Sequence, residues 1–596
     1  MNPRRRPAVG SRDAVMPSTL SVPLTNAASH STAYYLLQGL NEIGVEYLFC
    51  NFGTDHAPLI EELARFEADG LRAPKVVLCP HENVAVHMAG GYAQMTGRGQ
   101  AVLVHVDAGT ANAALGMHNL FRTRIPVLLI AGSAPFTSFG ELEGTRDTYV
   151  HFIQQPFDQG SLVRPYVKWE YALPSGVTSK EVLRRAHSIM HSEPKGPVYL
   201  MLPREILTEQ WDEQSVRSFS SEQFGPLPSS GADPEVISQL VSRLLSAKNP
   251  TLITAYAGRD SAASTAIENL AATAGIRVID FLTFTNIGRS FPHFGGFQSD
   301  ELADVDVGLL VDVDVPWIPV ATRGNPTTFW AQIDIDVLKS ASPMWSFPAN
   351  LRIQGKSSRI LTQLVEAIKK SATPDFHVAA RKRIEKLLVE HKERLHRSAA
   401  LAADKGRVGE INTHYVCAEI GKAIEPDDII VNEAVTRQSI PNLQIPRSKP
   451  GTMISNAGGG LGASGGMALG VKLALPDRCV VQIVGDGSFY FNNPTAVYAL
   501  SKQYALPIFT VVLDNSGWAA VKGATLRVYP DGQAKTKGSF QASLPTDMDF
   551  SKVVEAAGGY GERLVDPSEV PAAISRCLSQ VRTGRSALLH VCVTKL

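Results

Sequence analysis

Two short turns constrain this chain more than any other feature: Val484-Gly485-Asp486-Gly487-Ser488 and, further on, Asp514-Asn515-Ser516-Gly517. Each follows an apolar run, residues 479–484 and 508–513, that reads as a buried parallel strand. Glycines let a chain turn sharply as it leaves a strand. One crossover helix and one strand separate the turns, so both fall at the carboxyl edge of a sheet, where open α/β sheets bind ligands. The groups offered there are hard oxygens: the Asp486 carboxylate, the Asn515 amide and the Gly517 carbonyl. Magnesium takes oxygen ligands in near-octahedral geometry and is usually shared between protein carboxylates and phosphates. The pair of turns therefore reads as a metal-assisted diphosphate clamp, with Asp486, Asn515 and Gly517 as metal ligands.

At 596 residues the chain has material for about three to five domains. Its 57 basic and 57 acidic residues balance, which leaves no electrostatic footprint for nucleic acid or an anionic membrane surface. No apolar run reaches the ~18 residues of an ordinary membrane span. The six cysteines are scattered without paired metal-ligand spacing, several inside apolar runs. Buried, unpaired cysteines fit a reducing compartment, and a cytoplasmic location is expected. Residues 1–30, with Arg4, Arg5, Arg6 and Arg12, lack a secretory apolar core and read as a disordered tail.

Beyond that tail, strand-like runs alternate with helical periodicity in three blocks, 31–209, 233–365 and 408–596. The expected fold is α/β, three doubly wound parallel-sheet domains. Residues 215–231 read as a linker, and 366–407 as a second one containing a charged, solvated helix over 381–396. The middle block lacks a Gly-x-Gly-x-x-Gly turn after a strand, so nicotinamide binding is not expected there.

A second constellation is Cys79-Pro80-His81-Glu82-Asn83-Val84-Ala85-Val86-His87-Met88-Ala89-Gly90-Gly91-Tyr92-Ala93, then Thr96-Gly97-Arg98. It closely resembles the catalytic-glutamate segment of the thiamine diphosphate enzymes of the acetolactate synthase, pyruvate decarboxylase and benzoylformate decarboxylase superfamily. The Asp486–Asn515 motif resembles their metal–diphosphate motif, with Asp514 replacing the first of two asparagines. The likeness continues through Gly109-Thr110-Ala111-Asn112, Pro126-Val127-Leu128 and Gly196-Pro197-Val198-Tyr199, and covers essentially the whole chain after residue 30.

The resemblance implies a pyrimidine-binding domain first, a Rossmann-like middle domain, and a diphosphate-binding domain last. It implies thiamine diphosphate and Mg2+ as cofactors, with Glu82 hydrogen-bonded to the cofactor's pyrimidine. Leu461 would wedge between the two cofactor rings and the Gly459 carbonyl would face the aminopyrimidine. Gly485, Gly487 and Ser488 would lie beside the diphosphate. Family architecture sets the first domain of one copy against the last of another, so a homodimer or homotetramer is expected.

For substrate the resemblance implies a 2-oxo acid. Candidate proton relays are Thr54, Asp55, His56, His81 and His105, the last in a segment resembling benzoylformate decarboxylase, as does Asn432-Glu433-Ala434-Val435-Thr436. That decarboxylase's second histidine, from its middle domain, has no counterpart in Val315-Pro316-Trp317-Ile318-Pro319, and the two adjacent histidines of pyruvate decarboxylase are absent, since only His105 stands before Val106. Carboligation is therefore expected over fast aldehyde release. Residues 106–110 depart from the Gly-Pro-Gly-x-Thr of acetolactate synthase, no flavin site is evident, and FAD is not expected. Residues 518–529, with Lys522 and Arg527, are expected to cover the site. Two alternatives remain: a 2-hydroxyacyl-CoA or oxalyl-CoA type lyase, which should carry a basic coenzyme A site not seen near the C-terminus, and a non-catalytic regulatory protein. The presence of Glu82, Asp486 and Asn515 together argues against the latter.

Overall fold

The computed structural model describes residues 28–281, 284–296, 302–322, 324–545 and 548–595. The expected tail over 1–30 lies almost wholly outside them. Its last residues are structured, because Ser29–Ser31 pairs antiparallel with Gln210–Asp212.

Three all-parallel sheets follow. The first contains β1 (Tyr47–Cys50), β2 (Lys75–Leu78), β3 (Gln100–Val104), β4 (Val127–Ser133), β5 (Glu170–Ala172) and β6 (Val198–Pro203), in the order β2-β1-β3-β4-β6-β5. The second contains β7 (Thr251–Thr254), β8 (Arg277–Asp280), β9 (Val307–Val311), β10 (Phe329–Asp334) and β11 (Leu351–Gln354), ordered β8-β7-β9-β10-β11. The third contains β12 (Ile429–Glu433), β13 (Met453–Ile454), β14 (Val480–Gly485), β15 (Phe509–Asp514), β16 (Tyr560–Leu564) and β17 (Ala587–Cys592), ordered β13-β12-β14-β15-β17-β16. The terminal sheets thus share one winding, each with its first strand second from one edge and its last strand second from the other. Their central strands are buried along nearly their whole length, as sheets covered by helices on both faces require.

Six helices place the functional groups: α1 (Glu82–Thr96), α2 (Val106–Thr123), α3 (Pro374–Ala403), α4 (Ser464–Ala474), α5 (Asp486–Phe491) and α6 (Ala519–Val528). The charged helix expected over 381–396 is α3, and it starts earlier. Thr373 caps it by accepting from Phe376 N–H, and Pro374 occupies its first turn, where a missing N–H costs nothing. Among the described residues no helix is long and apolar enough to cross a membrane.

The terminal domains meet where α1 lies against α4, and residues of both contribute to one hydrophobic core. Glycines allow the approach. A Cβ at Gly466 would lie 2.8 Å from the Val84 carbonyl oxygen, and one at Gly470 would overlap the Met88 carbonyl oxygen. Gly470→Ala must push two helices apart and is expected to cost about 1–3 kcal/mol, read from urea denaturation midpoints. Arg124, just past α2, ties the first domain to the middle one through Asp314 and Asp334, both at 3.0 Å.

Candidate active site

The carboxyl ends of β14 and β15 build one half of the site. Asp486 starts α5 directly after β14, and its Oδ2 accepts the Gly517 N–H at 2.9 Å. Asn515 Oδ1 accepts from the same N–H at 3.2 Å. The turn that brings the two together runs through Ser516 in the left-handed region, φ 60°, and Asp514 Oδ1 holds it by accepting Ser516 N–H at 2.8 Å. β15 ends one residue later than the apolar run suggests, which puts Asp514 in the sheet, in register with Cys592.

A cavity of ≈ 400 Å³ opens at these strand ends. Gly459, Leu461, Gly485, Asp486, Gly487, Ser488, Asn515 and Gly517 all line it, together with Arg437, Trp518 and the start of α6. The Trp518 indole sits over Gly487, where a Cβ would come within 2.5 Å of it. Burial, with the Asp514 carboxylate as neighbour, pushes the Asp486 carboxyl up to about 7. A buried acid raised in this way is relieved by a cation, and carboxylate, amide and carbonyl oxygens are the donors a magnesium ion takes.

Glu433, the last residue of β12, fixes the loop that carries Gly459 and Leu461. Its Oε1 accepts Gly462 N–H at 2.7 Å and Ala463 N–H at 3.1 Å. Its Oε2 accepts Ser464 N–H at 3.0 Å, Ser464 Oγ–H at 2.6 Å and Asn492 Nδ2–H at 3.0 Å. An ionised acceptor suits the exposed amides at the start of α4. From the other side, Asn119 on α2 donates to the Gly460 carbonyl and accepts its N–H, both at 3.1 Å.

The first domain supplies a separate group of side chains. Glu82 is the first residue of α1, 9% exposed, and its Oε2 accepts from Asn112 Nδ2 at 3.0 Å. His81 caps that helix by accepting Asn83 N–H on Nδ1 at 3.2 Å, with the same nitrogen 4.0 Å from Glu82. A second cluster surrounds His105 at the end of β3. Its Nδ1 donates to the buried Asp55 carboxylate and its Nε2 contacts Gln154 Oε1 at 2.6 Å. Thr54 Oγ contacts His151 Nε2 at 3.0 Å, and Asp147 and Arg204 flank that ring. His56 lies buried 3.2 Å from Asp55.

The hydrogen bond that His105 donates to Asp55 pushes the ring up from the usual imidazole value. Burial alone would raise Asp55, but the His105 hydrogen bond and the nearby His56 and His105 charges outweigh it and hold it low. Acceptor oxygens at both nitrogens favour the protonated ring. A raised histidine contributes stability that is full below its unfolded value and lost as pH rises through its folded value. His105→Gln is therefore expected to lower stability most below about pH 6 and to converge on wild type toward alkaline pH, read by denaturation at several pH values.

His151, Gln154, Asp147, Arg204 and Arg437 were not candidates from the sequence, whereas Trp518 opens the stretch expected to cover the site. No residue of the first domain lines the diphosphate-side cavity.

A family model described as the N-terminal TPP binding domain of thiamine pyrophosphate enzymes matches residues 30–162, and the corresponding C-terminal TPP binding domain matches 439–591. Both terminal regions of the chain are thus similar to the cofactor-binding domains of thiamine pyrophosphate enzymes. The acetolactate synthase isozyme 3 large subunit of Escherichia coli (strain K12) is 27% identical over 539 residues, spanning 87% of this chain and 88% of that protein. Benzoylformate decarboxylase of Pseudomonas aeruginosa is 24% identical over 507 residues, spanning 83% and 87%. In fold, the chain is similar to the solved Rhodococcus jostii RHA1 thiamine diphosphate-dependent 4-hydroxybenzoylformate decarboxylase. The TM-score is 0.74 at 19% identity, over 95% of this chain and 99% of that one.

Proposed function

We propose that the protein is a magnesium- and thiamine diphosphate-dependent enzyme that cleaves the carboxylate from a 2-oxo acid and joins the remaining fragment to a second carbonyl. The observation that carries this reading is the convergence of Gly459, Leu461, Gly485, Asp486, Gly487, Ser488, Asn515 and Gly517 on one strand-end cavity.

Bound there, thiamine diphosphate supplies an acidic thiazolium carbon and an electron sink for the pair left by carbon dioxide. The protein's residues do the rest. Asp486, Asn515 and the Gly517 carbonyl hold magnesium, while Ser488 and the Arg437 guanidinium face the diphosphate. Leu461, on the loop that Glu433 and Asn119 clamp, would pack against the cofactor. Glu82 hydrogen-bonds the pyrimidine and Thr54 lies beside the substrate. The His105 imidazolium offers its charge to the substrate carboxylate. With both its nitrogens engaged by Asp55 and Gln154, it is poorly placed to hand a proton to a carbon, which favours ligation over aldehyde release.

Glu82 comes from a second copy of the chain. Large apolar side chains stand uncovered near the first-domain cluster, with Phe139 93% and Tyr149 75% exposed beside Phe152 and Phe157. Val435, Phe491, Val521 and Tyr529 do the same around the cavity. Patches of this kind mark protein–protein contacts. The described lining of the cavity carries Arg437 as its one cationic side chain.

The test is a screen of the reconstituted enzyme with pyruvate, phenylglyoxylate, glyoxylate and a 2-hydroxyacyl-CoA, following carbon dioxide and products by mass spectrometry. Carbon dioxide with a hydroxyketone is the expected result. Aldehyde alone makes the enzyme a simple decarboxylase, and turnover of the CoA ester alone moves it to the lyase class.

A further inference from the structure

Asp514 brings a second carboxylate to a turn that Asp486 already meets, each accepting from a backbone N–H of it. Its oxygens do different work. Oδ1 accepts Ser516 N–H and shapes the turn bearing Asn515 and Gly517, whereas Oδ2 accepts from His590 Nε2 at 2.9 Å. His590 stands on β17, next to β15, and is wholly buried against the edge of the Phe550 ring at 5.0 Å. Its Nδ1 faces Asp549 Oδ1 at 3.5 Å without a hydrogen bond.

Asp514, His590 and Cys592 present donor atoms within 4.8 Å of one another. The imidazole nitrogen on that side is already committed to Asp514, so the group reads as a hydrogen-bonded pair rather than a cation site. A buried carboxylate with no donor is costly, and one free to swing beside Asp486 would compete for the metal.

We propose that His590 is a positioning residue for the metal-binding turn: its Nε2–H holds Asp514 Oδ2 away from the metal, so that an aspartate can stand where the related motif has an asparagine. This rests on the reading of Asp486, Asn515 and Gly517 as the magnesium–diphosphate site.

A double-mutant cycle on the full-length protein tests it. Magnesium and thiamine diphosphate are titrated calorimetrically into wild type, Asp514→Asn, His590→Ala and the double variant, and apo melting temperatures are recorded alongside. His590→Ala is expected to weaken binding roughly tenfold or more, the loss typical of a hydrogen bond to a charged group. Asp514→Asn should stay within about twofold of wild type, and the double variant within about twofold of Asp514→Asn, because an amide needs no such donor. His590→Gln, which keeps a donor, should retain most of the affinity, and His590→Leu, which fills the buried space without a donor, replaces His590→Ala in the cycle should the latter not fold. A loss at His590 that persists unchanged in the Asp514→Asn background means packing alone, and overturns the proposal. Failure of wild type to bind magnesium and thiamine diphosphate overturns instead the reading of the site on which it rests.

Discussion

Glu82→Gln is expected to bind thiamine diphosphate and magnesium with near wild-type affinity while losing turnover by about 10²- to 10⁴-fold, the usual weight of a positioned acid–base group. The diphosphate and metal are held from the other half of the site, so their affinity does not depend on this side chain. The isosteric amide keeps the hydrogen-bond geometry with Asn112 and the capped start of α1. It loses the charge with which a carboxylate draws a proton onto the pyrimidine. Steady-state kinetics and calorimetry on one preparation separate the two effects. Full turnover in this variant would remove Glu82 from the mechanism.

Asp486→Ala is expected to do the opposite, weakening cofactor binding by more than roughly 100-fold, since removing even an outer-shell partner of a metal ligand costs 10–100-fold. The same position should show a reverse effect on the apo protein. Its carboxyl is pushed up to about 7 by burial and by Asp514, so between its ordinary value and about 7 the folded state binds more protons than the unfolded one. Stability therefore falls as pH rises through that window. Asp486→Asn, which keeps an acceptor for Gly517 N–H, is accordingly expected to melt higher than wild type above about pH 7 without cofactor. Function and stability are opposed at this residue, as at many active sites. A variant that lost affinity without gaining apo stability would mean that Asp486 is not strained by its neighbours.

What could be read in the sequence was local. Asp486, Asn515 and Gly517 sit at strand-to-turn junctions that the apolar runs mark, and Glu82 at a strand-to-helix junction, so strand periodicity alone brings each to a sheet edge. Groups assembled from distant segments carried no such signal. His590 meets Asp514 across 76 positions of sequence, and His151 meets Thr54 across 97. Both pairings exist only because parallel strands wind into neighbouring places. Glu433 stood in a recognisable segment, yet its task, gathering the amides at the start of α4, depends on a loop that follows another strand. The shared winding of the terminal sheets was equally hidden, since strand order is set by which helices cross which face. The true start of α3 was legible after all: Thr373-Pro374-Asp375 is a cap followed by a first-turn proline, overlooked in favour of the charged run behind it.

The most direct measurement is a calorimetric titration of thiamine diphosphate into the wild-type protein, with magnesium present and with magnesium chelated. Saturable binding that requires magnesium, at one cofactor per chain, is the expected result, because on the proposed reading Asp486, Asn515 and Gly517 reach the diphosphate only through the metal. Absence of binding, or binding of equal strength without any divalent cation, would contradict it.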